Sequence, residues 1–332
     1  MNAAEPDQTF EDEASLQLND DGSLRHLLTL KGLDHSMLVD LLDEAESYLR
    51  PEGALPARSD ALAGRTVANL FFEPSTRTRA SFDLAGKRLG ADVLNLDVNT
   101  SSRKKGESIL DTIYTLEAMR CDIMVVRDAS AGVPAYIAKH VKDHVSILNA
   151  GESDISHPTQ GLLDLLTIRR HKGSFDNLTV AFVGDIRHSR VVKSAAWGLR
   201  TLGVDSLRLI SPPAMAPDSD DMPFATIVDN LEEGLAGADV IMALRIQRER
   251  IGNLDGIPSI DEYFANFGIS HERMKLAKPD AIVMHPGPMN RGIEIEGALA
   301  DSVQSVITEQ VANGVAVRMA VLARVAQSLG RR

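Results

Sequence analysis

Cysteine is nearly missing from this chain: Cys121 is the only one in 332 residues. No internal disulfide framework can form, and the composition suits a reducing, cytoplasmic setting. Cys121 sits just ahead of an apolar run and reads as a small buried filler. No uninterrupted apolar run approaches the roughly 20 residues of a membrane span, and no basic segment leads into an apolar signal core. Aromatics make up only 4%. Lys and Arg are absent from residues 1–24, which hold seven acids (Glu5, Asp7, Glu11, Asp12, Glu13, Asp20 and Asp21). The formal net charge is −12, so the rest of the chain carries only −5. An acidic chain with few stacking rings suits neither nucleic acid nor a membrane surface. The acidic head is expected to be a disordered extension or a docking segment.

What is present is the composition of a soluble two-domain protein, 44% hydrophobic and 25% charged. A helical pattern through Met37, Leu38, Leu41, Leu42, Ala45 and Leu49 opens the body. Apolar strand-like runs near 65–71, 91–97, 122–127 and 145–149 alternate with helices near 75–89, 107–119 and 132–142. The second half repeats the rhythm, with strands near 178–184, 206–210, 239–244 and 280–284 and helices near 158–172, 189–202 and 230–236. Near-continuous apolar strands separated by helices predict parallel sheets covered on both faces. The fold class is therefore α/β, with two doubly wound parallel-sheet lobes, a substrate cleft between them and one closing helix from Val303 to Leu329.

The densest chemistry lies at 71–79, FFEPSTRTR. Ser75, Thr76, Arg77, Thr78 and Arg79 follow the run Val67 to Phe72 and open a helical pattern that stops at Gly90. A helix N-terminus offers unpaired N–H groups and the positive end of the dipole, which suits a phosphate. Hydroxyls and guanidiniums add charge-assisted bonds. The same residues also fit an ordinary Ser75 cap with solvated arginines.

Five further clusters fall just after strand ends, where such sheets bind ligands. They are Arg127; His157-Pro158-Thr159-Gln160; Asp185 to Arg190; Arg245 to Arg250; and His285 to Gly292. Taken singly, His157 fits a helix cap, Arg250 a solvated charge and Pro286/Pro288 a turn. Together they put a positive site on a negative body, which attracts anions. The loop 99–108, with Ser101, Lys104, Lys105 and Gly106, fits either solvated charge or a mobile lid that delivers a lysine. Gly184-Asp185 is the one glycine turn that would suit a dinucleotide, but no G-x-G-x-x-G follows it.

In this order the motifs resemble the catalytic chains of aspartate carbamoyltransferases over about residues 25–330. FFEPSTRTR, SSRKKGES (101–108), HPTQ (157–160), RIQRER (245–250) and HPGPMNRG (285–292) carry the resemblance. The first is shared with all transcarbamoylases, and the last two point to aspartate. The ornithine enzymes instead carry a His-Cys-Leu-Pro stretch where this chain has Gly287, and a Ser-Met-Gly motif that is not found here. Charge logic agrees: Arg190, Arg245 and Lys105 suit two carboxylates and repel an ammonium.

The resemblance implies a carbamoyl phosphate-binding domain at 25–155, an aspartate-binding domain at 156–304, and a helix at 305–332 packed back on the first. It implies transfer of a carbamoyl group to aspartate in pyrimidine biosynthesis, with no cofactor and no metal. Ser75, Thr76, Arg77 and Thr78 would hold phosphate. Thr78, Arg127 and His157 would face the carbonyl oxygen. Gln160 and the carbonyls around Gly287 and Pro288 would accept from the carbamoyl NH₂, and the X-Pro loop there suits a cis bond before Pro288. Arg190 and Arg245 would bind the aspartate carboxylates, with Gln247 orienting Arg245. A homotrimer with shared active sites is implied, Ser101 and Lys105 coming from the neighbour, as is a regulatory or dihydroorotase-like chain in a larger assembly. A different acceptor such as ornithine, or a non-catalytic scaffold, are the alternatives. The scaffold is disfavoured because every matched site residue is present.

Overall fold

The computed structural model describes residues 10–96, 108–247 and 256–329. The chain forms two compact α/β lobes, one made of Met1–Thr159 with Gly314–Arg332 and the other of Gln160–Asn313. The chain passes between lobes inside two helices, α6 (Pro158–Lys172) and α12 (Ile307–Ser328).

In the first lobe, β1 (Thr66–Phe71), β2 (Asp92–Leu96), β3 (Ile123–Asp128) and β4 (Ser146–Glu152) form a parallel sheet in the order β2-β1-β3-β4. Strands β3 and β4 are buried along their whole length, which explains their unbroken apolar runs. Helices α3 (Thr76–Arg88), α4 (Ile109–Ala118) and α5 (Val133–His140) follow β1, β2 and β3. Leu70, Ile113, Met124, Ile137 and Ile147 belong to the lobe's apolar core. The C-terminal part of α12 belongs to this lobe. Arg324 pairs with Asp40 and Glu44 of α2 (His35–Ser47), and the Arg318 guanidinium lies 5.2 Å from the centroid of the Phe82 ring.

The second lobe holds β5 (Thr179–Val183), β6 (Ser206–Ile210), β7 (Thr226–Val228), β8 (Val240–Ala243) and β9 (Ile282–Met284). They form a parallel sheet in the order β7-β6-β5-β8-β9. Helices α7 (Arg190–Thr201), α8 (Leu231–Leu235), α9 (Ile260–Phe267), α10 (His271–Met274) and α11 (Gly297–Ala300) complete it.

Both lobes anchor their central strand in the same way. Asp122, just before β3, accepts from Thr66 N at 2.9 Å and pairs with Arg65 at 2.9 Å. Asp239, just before β8, accepts from Thr179 N at 2.9 Å and pairs with Lys278 at 2.8 Å. Each carboxylate satisfies the first N–H of the central strand, which would otherwise be a buried donor without a partner.

Three expectations change. The head is not disordered over its described part, residues 10–24. Residues Phe10–Leu16 form helix α1, and Leu18 and Leu24 form an antiparallel bridge. The buried Gln17 side-chain oxygen accepts from Leu28 N and Thr29 N at 2.8 and 2.9 Å. Leu16 packs on the lobe core, so this acidic segment is held by an apolar side chain, a backbone bridge and one amide. The closing helix starts at Ile307 rather than Val303, whose side chain is fully exposed. The Gly151-Glu152-Ser153 stretch, which reads from sequence as a turn after the strand Ile147-Leu148-Asn149, instead begins by extending β4, where Glu152 pairs with Asp128 of β3.

A pH effect arises beside that head. Leu27 pairs with β4, and the buried His26 Nδ1 accepts from Ile147 N at 2.9 Å. Burial, reinforced by the Arg25 charge, lowers His26 to about 3. The unfolded chain therefore takes up a proton below the ordinary value near 6.5 while the native state does not. Stability is full above that value and is lost as pH falls toward 3. Between pH 6.5 and 5 the loss should be about 2 kcal/mol. In denaturant melts at both pH values, His26→Gln, which keeps an acceptor but cannot ionise, should flatten this dependence.

Candidate functional site

In the first lobe, the turn from β1 into α3 is tied to β3 through the backbone. Phe72 N and Glu73 N donate to Arg127 O at 2.8 and 3.3 Å. The Arg127 side chain is buried; Nη1 donates to Ala150 O at 3.1 Å and Nη2 lies 3.3 Å from the Glu73 carboxylate. Glu73 thus fastens the 73–78 turn to Arg127. Ser75 occupies the N-cap position with extended backbone, but its hydroxyl makes no capping bond. The plain cap reading fails, and the first N–H groups of α3 lack the usual side-chain acceptor. Thr76 and Arg77 are exposed, whereas Thr78 is buried. His157 is buried just before Pro158, which starts α6. Ser101 and Lys105 lie outside the described residues, as do Arg248 and Arg250.

In the second lobe the arginines flank one buried acid. Asp185 follows β5, and its Oδ1 meets His188 Nδ1 at 2.8 Å while its Oδ2 accepts from Gln247 N at 3.1 Å. Gln247 Nε2 donates to His188 O at 2.9 Å. Gln247 is expected from sequence to orient Arg245; its amide also holds the 185–190 loop to the segment after β8. Arg190 is buried as the first residue of α7, with Ser189 capping through Val192 N. Arg245 is half-buried. Arg187 turns away, with Nε on Ala216 O at 2.8 Å and Nη2 3.4 Å from Asp218. Behind them, burial raises the carboxyl of Glu294, which accepts from Asn290 N and Nδ2 at 2.8 Å each. The Tyr263 hydroxyl is also raised, by burial first and then by the charges of Glu294 and Asp185.

The remaining residues of this lobe form a second cluster. Gln160 Nε2 donates to Asp164 Oδ1 at 3.0 Å, and Gln310 Nε2 donates to the same oxygen at 2.6 Å. Gln310 Oε1 accepts from His285 N at 3.0 Å, and His285 Nδ1 accepts from Gly287 N at 2.8 Å. The Gly287–Pro288 bond is cis, with Gly287 at φ 65. Among the described residues, no group of three or more His, Cys, Asp and Glu could hold a metal ion, and no helix is long and apolar enough to cross a membrane.

Residues 25–170 match the aspartate/ornithine carbamoyltransferase carbamoyl-P binding domain, and residues 176–325 match the Asp/Orn binding domain of the same enzymes. The chain belongs to the aspartate/ornithine carbamoyltransferase family. Its two parallel α/β lobes are this family's fold, and carbamoyl transfer is the family's chemistry. This carbamoyltransferase is similar to aspartate transcarbamoylase from Trypanosoma cruzi, solved with carbamoyl aspartate and phosphate. Identity is 32%, the TM-score is 0.82, and 94% of this chain and 97% of that one are covered. The catalytic subunit of M. jannaschii aspartate transcarbamoylase is 32% identical, with TM-score 0.79 and coverage of 92% and 98%. Ornithine carbamoyltransferase from Thermus thermophilus is 26% identical, with TM-score 0.80 and coverage of 91% and 98%.

Glu73, Asp164, Gln310 and His285 received no role from sequence, although Glu73 and His285 lie inside quoted motifs. The one signal for Glu73 was its place between the strand and the hydroxyl cluster. Asp164 and Gln310 are 146 positions apart, and nothing local links them.

Proposed function

We propose that this carbamoyltransferase moves the carbamoyl group of carbamoyl phosphate to the amine of L-aspartate, giving N-carbamoyl-L-aspartate and phosphate for pyrimidine synthesis in the cytoplasm. The observation that carries the donor half is the uncapped N-terminus of α3, where Ser75 stands at the N-cap and its hydroxyl makes no cap bond. Phosphate there would meet the N–H groups of the first turn, the hydroxyls of Ser75, Thr76 and Thr78, and the Arg77 guanidinium. Thr78, Arg127 and His157 would donate to the carbonyl oxygen as it gains negative charge.

The amine attacks the carbonyl carbon, the tetrahedral adduct expels phosphate by breaking the C–O bond, and the departing phosphate can take the amine's proton. No protein nucleophile is needed, since holding both reactants together can itself supply much of the rate. Arg190, which opens α7 after β5, and Arg245, just after β8, would take the two carboxylates of aspartate. The solved Trypanosoma cruzi structures with carbamoyl phosphate, aspartate and N-(phosphonacetyl)-L-aspartic acid support this reading by similarity. So does the absence of an acid just after β8, where a cationic acceptor would need one. Ser101 and Lys105 of a neighbouring copy would complete the site in a homotrimer, with a regulatory or dihydroorotase-like chain as a further partner.

Phosphate release from carbamoyl phosphate, measured with aspartate and with ornithine, tests the acceptor. Turnover with aspartate and none with ornithine is expected. The reverse would assign the ornithine reaction, and no release with either would leave a scaffold.

A further inference from the structure

The chain of bonds through Asp164 has a single polarity. Asp164 Oδ1 accepts from both amides, so both turn their NH₂ groups toward it. Gln160 therefore keeps its Oε1 for something else. Gln310, with its NH₂ committed at 2.6 Å, must show its oxygen to His285 N. That bond holds the first residue after β9, and the His285 ring then takes Gly287 N on Nδ1, placing the neutral ring's proton on Nε2. Asp164 and His285 are wholly buried, so water cannot substitute for a lost partner and the orientations are locked.

We propose that Asp164, Gln310 and His285 are positioning residues for carbamoyl phosphate, working through Gln160 and the 286–288 loop. The inference rests on the carbamoyl-transfer reading above. A carbamoyl group presents an NH₂, and only acceptors recognise it. A glutamine free to flip would offer its own NH₂ half the time and repel the substrate. One buried carboxylate removes that choice at Gln160, and by way of Gln310 and His285 it also sets the loop carrying the Pro286 and Gly287 carbonyls. These are the groups assigned above to accept from the substrate.

The test removes the shared acceptor. Asp164→Leu offers neither amide an oxygen, so Gln160 and Gln310 both lose their fixed orientation. Its KM for carbamoyl phosphate should rise about tenfold, the scale of a lost hydrogen bond in a buried network, with the KM for the acceptor within about twofold. Asp164→Asn keeps an oxygen that can take both amides but can also turn its NH₂ toward them, so its KM should fall between Asp164→Leu and wild type. Gln310→Leu leaves the Gln160 bond in place and cuts only the arm to His285, so its KM should rise about threefold.

A purely structural role would lower the melting temperature without moving this KM. An unchanged KM in Asp164→Leu, or an Asp164→Asn as impaired as Asp164→Leu, overturns the proposal. Should Asp164→Leu fail to fold, a raised carbamoyl phosphate KM in Gln310→Leu supports it and an unchanged one overturns it. Wild-type enzyme that releases no phosphate would instead overturn the transfer reading, and this device with it.

Discussion

Arg127→Ala should reduce the turnover of phosphate release by about 10²–10³, the usual loss when one preorganised oxyanion donor is removed. Its guanidinium is held from two sides, by Ala150 O at 3.1 Å and by the Glu73 carboxylate at 3.3 Å. Little reorganisation is then needed when charge develops on the substrate oxygen. The same substitution removes the cation from beside Glu73 and leaves a negative charge next to the phosphate turn. The KM for carbamoyl phosphate should therefore rise as well. Arg127→Lys keeps the charge but cannot span Ala150 and Glu73 with a planar fork, so it should fall between alanine and wild type. A loss of less than about tenfold in Arg127→Ala would remove Arg127 from the carbonyl site. The backbone of the turn should survive either change, because Phe72 N and Glu73 N bond to the Arg127 carbonyl and not to its side chain.

Gly184→Ala should be among the most damaging single-carbon changes in the second lobe. Gly184 directly follows β5 at φ +138, a conformation that side chains rarely adopt. A Cβ there would lie 2.6 Å from Leu244 O and 2.9 Å from Leu244 Cβ. Neither neighbour is the loose end of a flexible chain. Relief requires β5 and β8 to part just where Asp185 and Arg245 leave the sheet. Backbone strain and overpacking together should cost about 2–6 kcal/mol. Whatever enzyme remains folded should show a raised KM for the amino acceptor and a near-normal KM for carbamoyl phosphate, since Asp185, Arg190 and Gln247 shift together. Denaturant unfolding and steady-state kinetics on one preparation check both parts. Wild-type stability in Gly184→Ala would mean that the close approach of β5 and β8 is not maintained in solution.

Much of the architecture was legible because burial on both faces leaves a local mark. The runs Val67 to Phe71 and Ile123 to Val126 could hardly be anything but central parallel strands. The expected helix near 158–172 matches α6 as well. Several missed elements have little to bury: β7 has only three residues on a sheet edge, with Ile227 exposed, and α10 and α11 have four residues each; α9 was missed too, although it buries Tyr263. The closing helix reads too long from sequence because Val303 extends the apolar period, although its side chain meets solvent. The acidic head misleads in the other direction, since composition weighs seven charges and cannot see Gln17 satisfying two amides of a later loop.

The amino-acid sequence alone determined the two α/β halves, the strand ends that carry cations and hydroxyls, and the anionic character of what they should bind. These follow from periodicity, from the reach of a helix N-terminus and from residue chemistry, all of which act within a few positions. Tertiary structure alone decided which acids hold those groups: Glu73 against Arg127, Asp185 between His188 and Gln247, and Asp164 joining Gln160 to Gln310. Such partners lie up to 146 positions apart, and a carboxylate's partner is chosen by how the strands pack rather than by its neighbours along the chain.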